Sequence, residues 1–298
     1  MTSPRFGYLL TAMVTPFAQD GTVDLDVARD LARFLVAQGN DALVVGGSTG
    51  EGSALSDAEK LDLFAAVAEA VGVPVLAGTS SSDTAESTAL TSRVAATGAA
   101  GVLATTPAYA RPSQRGIAAH FAALAESTPL PLMLYDIPVR TGRKIASATT
   151  IDVVRRHANV VALKDASGDL VAAAATKAEL GESLDLYSVD DALLLPFLAI
   201  GAVGVVSVAA HWAAPEFAAL IRSAHAGDWN AARSLNARLA PSCSFETSDM
   251  YPNPLPSKAA MRALGFAVGQ CRLPLGPGDD VLDQSAHDVV SALAASRG

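Results

Sequence analysis

The sequence predicts an α/β chain: a (β/α)8 (TIM) barrel followed by a small C-terminal helical domain. Three observations lead there. The apolar runs are continuous rather than alternating, as in a parallel sheet buried on both faces. A unit of a small residue, any residue and Gly recurs shortly before such a run, in Ala37-Gln38-Gly39, Ala96-Thr97-Gly98 and Ala199-Ile200-Gly201. Gly behind a helical stretch is the expected left-handed C-cap, so each copy is the αβ half of a βαβ unit. Finally, the strand signals stop after Gly227.

In chain order, eight strands are expected near Leu9–Val14, Ala42–Gly46, Pro74–Gly78, Gly101–Thr105, Leu132–Tyr135, Val160–Lys164, Leu184–Val189 and Val203–Val208. Helical segments such as Leu25–Gln38, Asp57–Val71, Asp83–Thr97 and Ser113–Glu126 lie between them. Eight such units in about 225 residues argue for a closed barrel. An open doubly wound sheet is the competitor, but no Gly-x-Gly-x-x-Gly follows a strand and opens a helix. Beyond the barrel, Asp228–Leu239, Ser257–Leu264 and Asp280–Ala295 read as helices, the first two separated by the Pro-rich link Tyr251–Pro256. The expected division is 1–226 for the barrel and 227–298 for the helical domain.

Bulk properties exclude several function classes. Half of the 298 residues are hydrophobic and 17% are charged, which is a globular composition. A net charge of −9 repels phosphate backbones, so no nucleic-acid partner is expected. Residues 192–215 carry no acid, Lys or Arg, but Pro196, Gly201, Gly204 and His211 interrupt them. They read as a buried helix, Ala192–Ile200, and a buried strand rather than a membrane span. Only Arg5 precedes the apolar stretch Tyr8–Val14, and Pro16 ends it, so no export signal is read. Cys243 and Cys271 lie outside any CxxC or CxxxH pattern and suit plain thiols in a reducing, cytoplasmic compartment. The five histidines (His120, His157, His211, His225 and His287) have no ligand spacing, so no metal and no cofactor are expected.

Chemistry in a barrel sits at the C-terminal ends of the strands. Of five lysines, Lys60, Lys144, Lys177 and Lys258 fall in expected helices or loops, where solvated ammoniums are expected. Lys164 alone ends an apolar strand. Apolar surroundings lower an amine's pKa, and a neutral amine can attack a carbonyl carbon. The competing reading pairs Lys164 with Asp165 or another acid at the mouth. The loop Gly46-Gly47-Ser48-Thr49-Gly50-Glu51-Gly52 closes the second strand and offers backbone N–H groups and two hydroxyls to a carboxylate or phosphate. Tyr135 closes the fifth strand and Tyr109 follows the fourth; each either reaches a site or packs in a core. Arg140 either clamps a carboxylate or serves as a surface cation.

Together these residues resemble the dihydrodipicolinate synthase / N-acetylneuraminate lyase family of Schiff-base barrels. The likeness runs from Leu10-Thr11-Ala12-Met13-Val14-Thr15-Pro16-Phe17 to Asn253-Pro254-Leu255-Pro256-Ser257-Lys258. It passes through Gly47-Ser48-Thr49-Gly50-Glu51, Tyr135-Asp136-Ile137-Pro138 and Lys164-Asp165-Ala166-Ser167-Gly168. The resemblance implies a class I, pyruvate-dependent enzyme. In it Lys164 is the Schiff-base lysine and Tyr135 the proton-shuttling tyrosine. Ser48 and Thr49 contact the pyruvate carboxylate, with Gly47 beside them, and Ser48 joins the proton relay. Tyr109 is the relay tyrosine that reaches the neighbouring subunit's site, and Val206 lines the pocket. Arg140 matches the arginine that holds aspartate semialdehyde in the synthase branch.

Three departures are visible. Ser48 stands where synthases usually carry Thr, Val189 where they usually carry Gly, and Ala108 where a Tyr packs at the subunit interface. The expected activity is condensation of pyruvate with L-aspartate 4-semialdehyde in a homotetramer. The alternatives are lysis of a 2-keto-3-deoxy sugar acid or N-acetylneuraminate, and keto-acid binding without turnover.

Overall fold

The computed structural model describes residues 3–297. Eight strands close a parallel barrel in sequence order. They are β1 (Leu9–Ala12), β2 (Ala42–Val45), β3 (Val75–Gly78), β4 (Gly101–Thr105), β5 (Leu132–Asp136), β6 (Val160–Asp165), β7 (Asp185–Ser188) and β8 (Gly204–Ser207). The surrounding helices are α1 (Leu25–Ala37), α2 (Asp57–Ala70), α3 (Thr84–Arg93), α4 (Gln114–Glu126), α5 (Pro138–Thr141), α6 (Ser147–Arg156), α7 (Leu170–Leu180), α8 (Leu194–Ala199) and α9 (Ala210–His225). Three more follow: α10 (Trp229–Phe245), α11 (Leu255–Ala263) and α12 (Asp280–Ala295).

The continuous apolar runs arise because both faces of each strand are covered. Leu9, Leu43, Leu132 and Leu134 face the helices in one large core. Their neighbours Leu10, Val44, Met133 and Tyr135 point into the barrel and form a second, inner core. Successive side chains on a strand take opposite faces, which gives the two layers; β6 is the exception, where Val161 and Ala162 both join the inner core beside a register shift against β5.

Gly39, Gly98 and Gly201 have φ of +104°, +80° and +97°, as expected of left-handed caps. Helix starts are set by side-chain caps: Asp24 accepts from the Val27 amide, and Ser56 and Glu59 form a reciprocal capping box. The same chemistry moves two expected boundaries inward by one residue. Asp83 and Ser113 are caps rather than helical residues, accepting from the Glu86 and Gly116 amides. The expected helix at Ala192–Ile200 starts as a 3-10 turn over Asp191–Leu193 and becomes helical only at Leu194.

The helix expected to end at Leu239 continues through Pro241 to Phe245. Tertiary contacts hold it there: Leu239 and Ser242 are buried, and the Trp212 indole donates to the Ser242 hydroxyl at 3.0 Å. Two of the lysines expected to be solvated are buried, Lys60 at 6% and Lys258 at 1% exposure. Lys258 is compensated by Glu51, whose Oε1 lies 2.7 Å from its Nζ, and by the Gln270 carbonyl it donates to at 3.0 Å.

His211 fastens the first strand to the last. Its Nε2 accepts from the Val14 amide at 3.1 Å, so the ring proton sits on Nδ1, which donates to the Val208 carbonyl at 2.7 Å. Burial lowers its pKa from 6.5 to about 4. The unfolded chain binds this proton near 6.5 and the folded chain only near 4, so stability is lost as pH falls through that window. His211→Gln keeps an acceptor and a donor but cannot titrate. Denaturant unfolding at about pH 7 and about pH 4.5 is expected to show a smaller loss in the variant than in the parent, by about 2 kcal/mol. Equal losses in both proteins would refute this role for His211.

Candidate active site

Strand pleat brings the two central residues together. Ala162 belongs to the inner core, so Lys164, two residues on, shares its face. Tyr135 lies on the same face of β5 and is the direct register partner of Lys164. The Lys164 Nζ stands 4.1 Å from the centre of the Tyr135 ring, and both residues are 3% exposed.

Loss of hydration dominates the electrostatics. Burial pulls the Lys164 amine down to about 7; Asp191 opposes the shift and Arg140 adds to it. Burial pushes the Tyr135 phenol up to about 12, while Arg140 and the Ser48 hydroxyl favour its ionised form. At neutral pH this is an amine able to lose its proton beside a phenol that keeps its own. Such a pair suits attack on a carbonyl and local proton transfer.

Tyr135, Ser48, Gly47 and Arg140 line a cavity of about 820 Å³ that continues past Thr106 and Ala108. The loop after β2 is folded tightly on itself: a Cβ at Gly52 would stand 2.0 Å, and one at Gly78 2.5 Å, from the Gly46 carbonyl oxygen. No side chain fits at either position, so the loop packs directly on the Gly46 carbonyl, as does the end of β3 at Gly78. Arg140 is presented by the single turn α5, with Pro138 in its first turn and Gly142 closing it at φ +74°. Lys164, Thr49 and Val206 are not among the residues that line the cavity, and Val206 is fully buried in the inner core with Tyr135. Val189 packs against the same core.

Tyr109 is not brought to this cavity. It is 97% exposed, on a loop where both Tyr109 and Arg111 take left-handed backbone angles, φ +68° and +47°. Backbone strain of this kind in a non-glycine residue persists only where the surroundings require it.

Several residues that hold the site are not among those read from the sequence. The Asn253 side chain donates to the Thr49 hydroxyl at 2.9 Å, and its backbone carbonyl accepts from Arg140 at 3.1 Å. One residue of the C-terminal region thus ties the β2 loop to α5. Glu51 of the β2 loop meets Lys258 and also accepts from the Arg272 amide at 2.8 Å. The Arg272 guanidinium donates to the Gly21 and Ala54 carbonyls. The sequence signal for these contacts was the Asn253–Lys258 segment itself, whose polar residues carry no local motif to name their partners.

Residues 5–293 match the model of the dihydrodipicolinate synthetase family. The chain is 47% identical to the 4-hydroxy-tetrahydrodipicolinate synthase of Synechococcus sp. over 97% of its length and 95% of that protein's. It is 44% identical to the one from Moorella thermoacetica, over 91% and 92%. A crystal structure of dihydrodipicolinate synthase from Cyanidioschyzon merolae with lysine bound superimposes with a TM-score of 0.94 at 39% identity, covering 98% of this chain and 99% of that one. The chloride-inhibited enzyme of Acinetobacter baumannii complexed with pyruvate gives 0.91 at 30% identity, over 97% and 99%.

The Asn253 bridge yields a test. Asn253→Ala leaves the backbone carbonyl to Arg140 and removes only the bond to Thr49. If Thr49 holds a substrate carboxylate, the KM for that substrate is expected to rise about fivefold, the size of one hydrogen bond, with a smaller change in kcat. An unchanged KM would show that Asn253 does not position Thr49 for ligand.

Proposed function

The chain belongs to the dihydrodipicolinate synthetase family, and from that premise we propose that it condenses pyruvate with L-aspartate 4-semialdehyde to give 4-hydroxy-tetrahydrodipicolinate. It is a lyase-type enzyme of the Schiff-base kind. The observation that carries the reading is the buried Lys164 amine, held near neutrality beside Tyr135 at the mouth end of a barrel strand.

In this reading the Lys164 nitrogen adds to the keto carbon of pyruvate, and loss of one water leaves an iminium ion. Removal of a methyl proton gives the enamine, whose carbon attacks the aldehyde and forms the new C–C bond. The aldehyde oxygen takes up a proton. The amino group of the second substrate then displaces Lys164, closing the ring and freeing the enzyme. Tyr135, with its raised pKa, carries the proton at each transfer, and Ser48 beside it passes the proton onward. Thr49 with Ser48 and Gly47 holds the pyruvate carboxylate, and Arg140 holds the carboxylate of the aldehyde substrate. Val206 packs with Tyr135 in the inner core.

The barrel (1–226) carries the site and the helical domain (227–298) braces it. The working unit is a homotetramer, a dimer of dimers, in which Tyr109 serves the neighbour's site; its exposure and strained backbone in the single chain fit a residue that acts elsewhere. Among the described residues no helix is long and apolar enough to cross a membrane. A cytoplasmic location fits the two free thiols.

Product analysis tests the activity. With pyruvate and aspartate semialdehyde the expected product is the cyclic dihydropyridine precursor. Turnover of a sugar-derived aldehyde in preference would replace this reading with a sugar-acid aldolase, a change that Ser48 and the packed Val189 would then explain. Pyruvate with borohydride is expected to leave a reduced three-carbon adduct on Lys164, absent in Lys164→Ala; an adduct on Lys144 would overturn the assignment. For the shared site, mixing inactive Tyr109→Phe and inactive Lys164→Ala chains is expected to restore activity in hybrid oligomers. Verified hybrids with no activity would exclude the exchange of Tyr109 between subunits.

A further inference from the structure

We propose that Asp191 and Glu246 share one proton, forming a buried acid pair of net charge −1 that acts on Lys164 as a positioning group and favours its protonated, Schiff-base form. The consequence for Lys164 rests on the Schiff-base reading above; the shared proton does not.

The observation is a pair of unmatched oxygens. Asp191 follows β7 and is 1% exposed; Glu246 ends α10 and is 7% exposed. The Asp191 Oδ2 accepts from the Ser207 hydroxyl at 2.8 Å and from the Val208 and Ala209 amides at 3.1 and 2.8 Å. Its Oδ1 is buried with no donor, and so is Oε2 of Glu246. Two ionised carboxylates are acceptors only, and leaving two such oxygens dry and unpaired is costly. The two side chains lie within hydrogen-bond reach of each other, so a single proton between them satisfies both.

Its location follows from the partners. Burial raises both carboxyls; at Asp191 three donors on one oxygen oppose the rise, whereas at Glu246 the charges of Asp191 and Asp190 add to it and push that carboxyl well up. Glu246 therefore holds the proton and donates it to Asp191. No proton leaves the pair, and the charge stays at −1.

The groups around this corner agree. Asp190, on the same turn, adds to the rise of the Glu246 carboxyl. Cys243, on the preceding turn of α10, is held as a neutral thiol by burial and by these acids. From β6, Lys164 feels Asp191 as the charge that raises its pKa, and Arg140 of α5 opposes it. The mechanism as derived uses neither Asp191 nor Glu246. Yet the nitrogen of Lys164 passes through a cationic iminium inside an apolar barrel, where a fixed negative charge favours it. The pair also joins α10 to the end of β8, so the helical region reaches the nucleophile through it.

Two measurements test this on the full-length protein. Infrared spectroscopy without substrate is expected to show a carbonyl stretch of a protonated carboxylic acid at neutral pH. Burial also pushes the Asp136 carboxyl up to about 7, so the signal read is the difference between the parent and Glu246→Gln, which should contain one such band that shifts in D2O. A difference spectrum without that band would overturn the shared proton whatever reaction the enzyme performs. The pH dependence of pyruvate trapping by borohydride reads the charge. Asp191→Asn is expected to move the acid limb of the trapping rate to lower pH by ~1 unit, whereas Glu246→Gln, which keeps a donor and leaves Asp191 anionic, holds the limb in place. An acid limb unmoved in Asp191→Asn refutes the electrostatic role. If Asp191→Asn does not fold, Ser207→Ala, which removes one of the three donors and so draws the shared proton toward Asp191, is expected to lower the limb slightly; no shift would count equally against the proposal.

Discussion

Burying the Lys164 amine under the ring of Tyr135 strips the ammonium of its hydration, and the rest of the site sets how far that is felt. Apolar barrel walls lower the pKa, Arg140 lowers it further, and Asp191 raises it, leaving an amine near 7. An amine so placed is neutral often enough to attack a carbonyl carbon and basic enough to carry a charge once it has reacted. The same walls keep the Tyr135 phenol protonated, so amine and phenol are tuned by one environment in opposite senses.

That environment cannot be built by the barrel strands alone. The carboxylate end of the site lies on a loop of closely packed glycines, held from outside by the C-terminal helical region. Lys258 and Glu51 form an ion pair that is almost completely buried, with the Lys258 ammonium also 4.0 Å from the centre of the Phe17 ring. Pairs of this kind add little net stability, but removing one partner leaves an uncompensated charge and costs about 3–5 kcal/mol. Their worth here is geometric. Lys258, Arg272 and Asn253 fix the β2 loop to one arrangement, and Asn253 links that loop to Arg140. The segments after the barrel thereby hold the cavity wall at the β2 loop and at Arg140.

The sequence by itself determined the barrel and its central residues. Continuous apolar runs, helix caps and left-handed glycines are local properties, because the backbone hydrogen bonds and backbone angles they report involve neighbours in the chain. A lysine or tyrosine at the end of such a run is therefore placed at the mouth by its position alone. The pleat then puts Lys164 and Tyr135 on one inner face. Tertiary structure alone decided the rest. It decided that Lys60 and Lys258 are buried, that α10 continues through Pro241, and that Tyr109 lies outside its own chain's cavity. It also decided that Asn253 joins Thr49 to Arg140 and that Asp191 meets Glu246. These contacts link residues as much as 204 positions apart, and charge and hydrogen bonding act through space, so no local pattern encodes which partner a buried polar group will find.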